Sequence, residues 1–358
     1  MHRKLFIPGP TEVEKDVLEA QLKPMIGHRH KDFTALYASV LGQLKEFFNT
    51  SQHIVVIAAS GSITMDIAGR NLVRAGRKTL CCINGSFSDR MSKAIKGCGN
   101  EIDILEVEWG QAIKPEMIEE KLKENEYDLV TVCQNETSTG VKCDLKAIGE
   151  VINKYPNTLL SVDAVSSLGG DLIFPDEMKT DFVFASTQKA FAMPPGLAIV
   201  IYSDDVITRG NEVKSRGLYT DLVQIHNYFE KKQQTPSTPA ISLLNALDYQ
   251  LGKMLKEGAV NRYKRHLEMA EYTQKWALDN GFKLFAEDGY ASVTVSTIEN
   301  TLNKDIGELN KTLAERGMEI ANGYGPLKGK TFRIGHMGDH TLDSIKELLD
   351  NITEIWNL

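Results

Sequence analysis

The sequence predicts an α/β protein: a large domain on a mainly parallel seven-stranded sheet sandwiched by helices, followed by a small C-terminal α+β domain. Three observations predict it. Between residues 53 and 203, seven short β-rich apolar runs alternate with stretches of helical periodicity. Most of those runs are nearly continuous Val, Ile, Leu and Cys, the pattern of strands buried on both faces of a sheet. At 358 residues the chain also exceeds the usual size of a single domain, which fits a second, smaller unit.

In order, the strand candidates are residues 53–60, 78–85, 101–108, 129–136, 158–165, 181–188 and 197–203. Amphipathic stretches at 62–75, 88–96, 115–124 and 145–154 lie between them and predict helices on both faces of the sheet. Sheets of this kind gather ligands beyond the carboxyl ends of their strands. The run Gln233-Gln234-Thr235-Pro236-Ser237-Thr238-Pro239 breaks the pattern as an ordered Pro-rich connection. One long helical segment is predicted from about 241 to 280. A strand at 291–298, a helix at 304–316 and a final strand–helix pair around Phe332 and 342–358 follow it. The expected division is an N-terminal arm at 1–13, a large domain at 14–256 and a small domain at 257–358.

A formal net charge of −7, with no basic cluster, argues against nucleic acid as a partner, because phosphate binding needs concentrated Lys and Arg. The cysteines, Cys81, Cys82, Cys98, Cys133 and Cys143, are odd in number and form no C-x-x-C pair. Several sit in apolar runs as small hydrophobes, which suits a reducing cytoplasm better than a disulfide scaffold. The start Met1-His2-Arg3-Lys4 has no long apolar core behind it, so no signal peptide is expected. No apolar run is long enough to span a bilayer, and a soluble cytoplasmic protein is predicted.

Chemistry-bearing residues fall at the predicted strand ends. Lys189 follows the apolar run Phe182-Val183-Phe184-Ala185-Ser186 and precedes Pro194-Pro195-Gly196. Desolvation there would lower the lysine pKa, as a Schiff-base amine requires, although a lone lysine at a strand end also reads as a solvated rim residue. Asp163 ends the preceding run; its carboxylate suits a protonated pyridine nitrogen, and by itself it equally suits a turn. Ser60-Gly61-Ser62 stands where the first strand meets a helix, a place where backbone N–H groups bind phosphate or simply form a cap. No Walker A lysine accompanies it, no G-x-G-x-x-G follows a strand, and Gly323-Tyr324-Gly325 is in the wrong context for one.

Three further signals point to the same edge. Phe87, in Asn84-Gly85-Ser86-Phe87, is placed to stack on a planar ring or merely to pack. Asn135-Glu136-Thr137-Ser138-Thr139-Gly140 brings polar groups to the end of the fourth strand. Arg333 interrupts the run Phe332-Arg333-Ile334-Gly335, where a fixed guanidinium suits bidentate grip of a carboxylate; a surface ion pair is the plainer reading. Together these compose a phosphate cradle, a ring stack, a carboxylate for a pyridine nitrogen, an amine and an anchor for a substrate carboxylate.

The same segments, with Ile7-Pro8-Gly9-Pro10-Thr11, Gly27-His28-Arg29 and Phe332 through Gly338, give the chain a resemblance that runs nearly end to end. It resembles the class V, fold-type I pyridoxal-phosphate aminotransferases of the alanine–glyoxylate and serine–pyruvate type. The resemblance implies that Lys189 forms the internal aldimine of pyridoxal 5'-phosphate and moves the proton of the 1,3-shift. It implies that Asp163 pairs with the ring nitrogen and Phe87 stacks on the ring, with Thr137 near the ring's polar substituents. Ser60, Gly61, Ser62 and Gln188 would hold the phosphate, and Arg333 the substrate α-carboxylate. A homodimer with interface active sites follows, in which Thr235 or Ser237 reaches the partner subunit's phosphate. Phe87 stands where some relatives have tryptophan. Cysteine desulfurases share the class but need a cysteine late in the chain, and none follows Cys143.

Gly27-His28-Arg29-His30-Lys31-Asp32-Phe33 resembles a segment that meets the substrate phosphate in phosphoserine aminotransferases. His28 and Arg29 either complement a second anionic group of the substrate or tie the N-terminal arm to the dimer interface. No third ligand accompanies His28-x-His30, and no metal is expected. The resemblance implies ping-pong transfer of an amino group from alanine, serine or aspartate to a 2-oxo acid such as glyoxylate or pyruvate. The alternatives are a phosphoserine aminotransferase, a lyase or epimerase on the same cofactor, and a non-catalytic fold serving as a regulatory subunit.

Overall fold

The computed structural model describes residues 2–358. A short strand β1 (Lys4–Phe6) and helices α1 (Lys15–Glu19) and α2 (Lys31–Phe47) precede the alternating region. There follow β2 (His53–Ala58), α3 (Ser62–Asn71), β3 (Lys78–Ile83), α4 (Ser86–Gly97), β4 (Glu101–Glu106) and α5 (Pro115–Glu124). Next come β5 (Tyr127–Cys133), the hairpin β6 (Asn135–Glu136) and β7 (Val141–Lys142), α6 (Leu145–Ile152), β8 (Leu159–Asp163), β9 (Phe182–Ser186) and β10 (Leu197–Tyr202). Helices α7 (Asp204–Glu212), α8 (Leu222–Lys232), α9 (Ile241–Glu257) and α10 (Ala259–Asp279) lead to the C-terminal part. That part comprises β11 (Lys283–Leu284), β12 (Val295–Glu299), α11 (Ile306–Glu315), β13 (Met318–Asn322), β14 (Thr331–Gly335) and α12 (Leu342–Trp356).

The seven predicted runs form one sheet in the order β2-β10-β9-β8-β5-β3-β4. Its neighbours are parallel except β10, which runs antiparallel to both β2 and β9. Side chains on each strand alternate between two cores. Ile54 and Val56 of β2 and Val183 of β9 join a core with Leu44 of α2, Ile118 of α5, Ile148 of α6 and Leu251 of α9. Val55 and Ile57, with Phe182 and Phe184, join the opposite core with Ile67 of α3, Met91 of α4 and Leu222 of α8. Each of these side chains contributes about 1.5–3 kcal/mol by leaving water, so both faces of the sheet must be covered. Every strand stops one to three residues before the end expected from its apolar run. The residues so released, among them Ser60, Asn84 and Gln188, form the loops at the carboxyl edge.

Two expectations are corrected. The long helix expected from about 241 to 280 is two helices, because Gly258 adopts φ +82° and ψ 142° between α9 and α10. That conformation is open to glycine and strained for other residues, whereas a helical glycine costs only about 1 kcal/mol, so periodicity reads straight through it. The strand expected at 291–298 begins later, at Val295. The Ser292 hydroxyl accepts from the backbone N–H groups of Thr294 (3.1 Å) and Val295 (3.2 Å), a local turn that displaces ladder pairing.

The smaller sheet has the order β1-β13-β14-β12-β11. Within the expected N-terminal arm, Lys4–Phe6 is therefore an edge strand of this sheet, parallel to β13. Its core joins Phe6, Leu309, Phe332, Ile345, Leu348 and Trp356. Arg262 of α10 locks the two sheets' surroundings together. Buried, it donates to Gly169 O (2.9 Å) and Ala190 O (2.7 Å) beside the first sheet and pairs with Asp339 (3.0 Å) after β14. No helix among the described residues is long and apolar enough to cross a membrane.

Candidate active site

Lys189 lies just beyond β9, in a turn closed by the Met193 N–H on Thr187 O (3.1 Å) and the Ala192 N–H on Lys189 O (2.9 Å). The N-terminal segment passes directly over it. The Thr11 N–H donates to Gln188 O at 3.0 Å, the Thr11 hydroxyl to Lys189 O at 3.1 Å, and the Lys189 amine to Pro8 O. Gly9 makes this approach possible: it sits at φ +126°, and a Cβ there would come within 2.6–2.8 Å of the end of the lysine chain. Burial, and after it the nearby Arg333 guanidinium, depresses the Lys189 pKa to about 8.

Asp163, the last residue of β8, is buried and accepts from the Val165 N–H at 3.0 Å. Burial raises its pKa to about 7, and neighbouring Glu136 pushes the same way. A carboxyl in that state gains from any cation brought against it.

Both residues face one cavity of about 370 Å³. Ser60, Gly61 and Ser62 line it at the start of α3, where backbone N–H groups and the helix dipole favour an anion. Ser186 Oγ and Gln188 Oε1, on the same wall, are buried without hydrogen-bond partners, as is Asn135 Oδ1. Unpartnered buried polar atoms are costly unless something binds them. Phe87 lines the cavity from the first turn of α4, and Thr137 lines it with its hydroxyl 2.5 Å from Ser166 Oγ. The walls thus suit a molecule with an anionic end, a flat ring carrying a basic nitrogen, and a carbonyl for the amine.

Arg333 enters from β14 and is also buried. Its guanidinium donates to Asn322 O (3.1 Å) and Thr137 O (3.2 Å) and lies 5.4 Å from the Tyr324 ring centre. Burial pulls its pKa down to about 10. Tyr324, not Arg333, lines the cavity.

Besides Arg333, four predicted residues lie away from the cavity. Thr235 and Ser237 border a separate hollow with Ile57, Ala58 and Tyr219. Arg29 donates to Thr235 O (2.5 Å) and Pro236 O (2.8 Å) and covers the Tyr228 ring at 5.2 Å, so in its own chain it clasps the Pro-rich connection. His28 is half-buried and does not line the cavity.

Three contributors went unrecognised in the sequence. Glu136 buries its carboxylate at the N-terminus of α4, accepting from the N–H groups of Phe87 (3.0 Å) and Ser88 (2.9 Å), and so sets the position of Phe87. Arg90, one turn beyond Phe87, lines the cavity with its guanidinium 5.0 Å from the Phe87 ring centre and 3.1 Å from the Tyr324 hydroxyl. Tyr324 is the third, and the glycines flanking it drew the only attention to that stretch. The i, i+3 spacing of Phe87 and Arg90 was a usable signal once α4 was placed.

Comparison with known proteins agrees with this geometry. A family model described as aminotransferase class-V matches residues 10–325. An uncharacterized aminotransferase of Methanocaldococcus jannaschii is 39% identical, over 93% of this chain and 87% of its own. The L-aspartate–glyoxylate aminotransferase of Paracoccus denitrificans is 31% identical over 94% and 87%. Among solved structures, the alanine–glyoxylate aminotransferase from Nostoc sp. superposes with a TM-score of 0.94 at 26% identity, over 99% of this chain and 96% of that one.

Proposed function

The chain belongs to the class V aminotransferases and is a pyridoxal-phosphate-dependent transaminase, and on that premise we propose that it moves the amino group of alanine, serine or aspartate to glyoxylate, with aspartate the preferred donor. The observation that carries the reading is one cavity holding an amine depressed to about 8 and a carboxyl raised to about 7. When bound, pyridoxal 5'-phosphate supplies a carbonyl carbon that receives the amino group and a ring that draws off the electron pair left at the donor Cα.

The chain's own residues supply the rest. Ser60, Gly61 and Ser62 at the head of α3, with the unpartnered Ser186 hydroxyl and the donating Nε2 of the Gln188 amide, would hold the phosphate. Asp163 would keep the ring nitrogen protonated, and Phe87, set by Glu136, would cover the ring face. Thr137 would stand beside the ring's polar substituents. Lys189, its amine depressed to about 8, would take the proton from the donor Cα and return it at the cofactor carbon. Arg333, behind the Tyr324 ring, would take the substrate α-carboxylate once that ring swings aside, and its charge is already felt at Lys189.

Arg90 supports an acidic donor. Among the described residues no carboxylate pairs with it, yet it is held on the Phe87 ring and the Tyr324 hydroxyl. Its remaining N–H groups suit a second carboxylate. The reading also includes a cytoplasmic homodimer, supported by five free thiols, by the strongly exposed Leu22, Met25 and Leu218, and by the place of Thr235 and Ser237 outside their own chain's cavity. Phosphoserine, whose distal group is also anionic, is the competing donor.

The visible absorption of the purified enzyme, followed as alanine, serine, aspartate and phosphoserine are added separately, tests this. A yellow band that bleaches fastest with aspartate is expected, and no bleaching in Lys189→Ala. In Arg90→Gln the aspartate-to-alanine ratio should fall about 10–100-fold, the worth of a hydrogen bond to a charged group. Fastest bleaching by phosphoserine would replace the donor assignment. A protein that stays colourless with added cofactor would overturn the whole reading.

A further inference from the structure

We infer that the edge of the large sheet carries a divalent transition-metal site built by His53, His226 and Glu230, apart from the transamination cavity. His53 opens the edge strand β2, at the end away from the Ser60-Gly61-Ser62 loop. His226 and Glu230 stand four residues apart on α8 and so share one face of that helix. One ligand atom from each of the three lies within 4.8 Å of the others. Around a tetrahedral zinc ion, bonds of about 2.1 Å put ligand atoms roughly 3.4 Å apart, so small side-chain rotations close the site.

The surroundings of each imidazole are those of a ligand. Asp204 Oδ1 lies 2.7 Å from His53 Nε2, and the Tyr202 hydroxyl lies 3.2 Å from His226 Nδ1. Such partners orient the ring and set its tautomer, as the outer partners of metal-binding histidines do. The two imidazole ring centres are 4.6 Å apart, with the ring planes nearly perpendicular. Glu230 and Asp204 are exposed, which leaves an entry path from solvent.

Two imidazoles and one carboxylate are a borderline-soft set that selects zinc or a similar ion over magnesium or calcium. None of the three residues lines the transamination cavity. The ion would staple α8 to an edge strand, just before the connection that carries Thr235 and Ser237. His53 and His226 are far apart in sequence, which hides the site from motif reading.

The test is equilibrium dialysis of the holoenzyme, stripped with chelator and free of amino acids, against ZnCl2, with metal analysis and thermal unfolding. About one zinc per chain and a raised unfolding midpoint are expected. His226→Gln and the double variant His53→Gln/His226→Gln should bind at least tenfold more weakly and lose the midpoint shift, and Asp204→Asn should weaken binding about tenfold. Unchanged transaminase activity in these variants shows that they are folded. Undiminished zinc binding by the double variant, or no zinc bound by the parent enzyme at about 100 µM, overturns the inference.

Discussion

Replacing Asp163 with asparagine removes one charge while preserving shape and burial. Burial lifts the Asp163 carboxyl from 3.8 to about 7, with neighbouring Glu136 pushing the same way. Ionising this buried carboxyl is costly, and a protonated ring nitrogen is the cation whose charge would offset that cost. Asparagine cannot hold that proton, so the half-reaction with aspartate should slow by about 10²–10³-fold, the usual effect of losing one preorganised electrostatic contact. Single-turnover bleaching, normalised to bound cofactor, separates this loss from weaker cofactor binding. A fully loaded Asp163→Asn enzyme within tenfold of the parent rate would refute the reasoning. The cofactor-free protein gives an independent check. Because the folded pKa lies above the unfolded one, Asp163 contributes stability that is full below about 4 and lost as pH rises through about 7. Asp181, raised to about 6, acts with the same sign in both proteins, so the difference between parent and variant isolates Asp163. The variant should lack this slope and be the more stable of the two at pH 8.

Capture of pyridoxal phosphate by the cofactor-free protein should quicken about tenfold per pH unit below pH 8 and level off above it, because only the neutral Lys189 amine reacts. In Arg333→Gln the break should move to higher pH, since the guanidinium helps depress that amine; stopped-flow absorbance across pH 6–10 reads both, and an unmoved break would deny the coupling. Gly258→Ala forces a side chain into φ +82° and should cost about 1–3 kcal/mol in urea unfolding, with activity retained. A neutral effect would mean that the junction of α9 and α10 relaxes freely.

Much of the catalytic edge was legible because its residues are anomalies within strong local patterns. Lys189 and Asp163 stand out as charges at the ends of runs that otherwise read as doubly buried strands, and Ser60-Gly61-Ser62 as small residues where a strand gives way to a helix. Other parts depend on residues that are strangers in sequence. Glu136 matters because it meets the first turn of α4, some fifty positions earlier. The three-residue strand β1 is too short to announce itself and exists because Met318–Asn322 offers it an edge.

The chain by itself determined the seven strands of the large sheet and the helices α3 to α6 between them, and that a lysine, a carboxylate and an anion cradle fall at strand ends, because burial periodicity and turn chemistry are properties of near neighbours. Tertiary structure alone decided that Gly9 carries the N-terminal segment over Lys189, that Tyr324 rather than Arg333 faces the cavity, and that Arg29 clasps the Pro-rich connection. It also set the lysine and carboxyl pKa values near 8 and 7. Those outcomes follow from desolvation and from contacts between distant segments, which exist only once the sheets and helices have closed around the cavity.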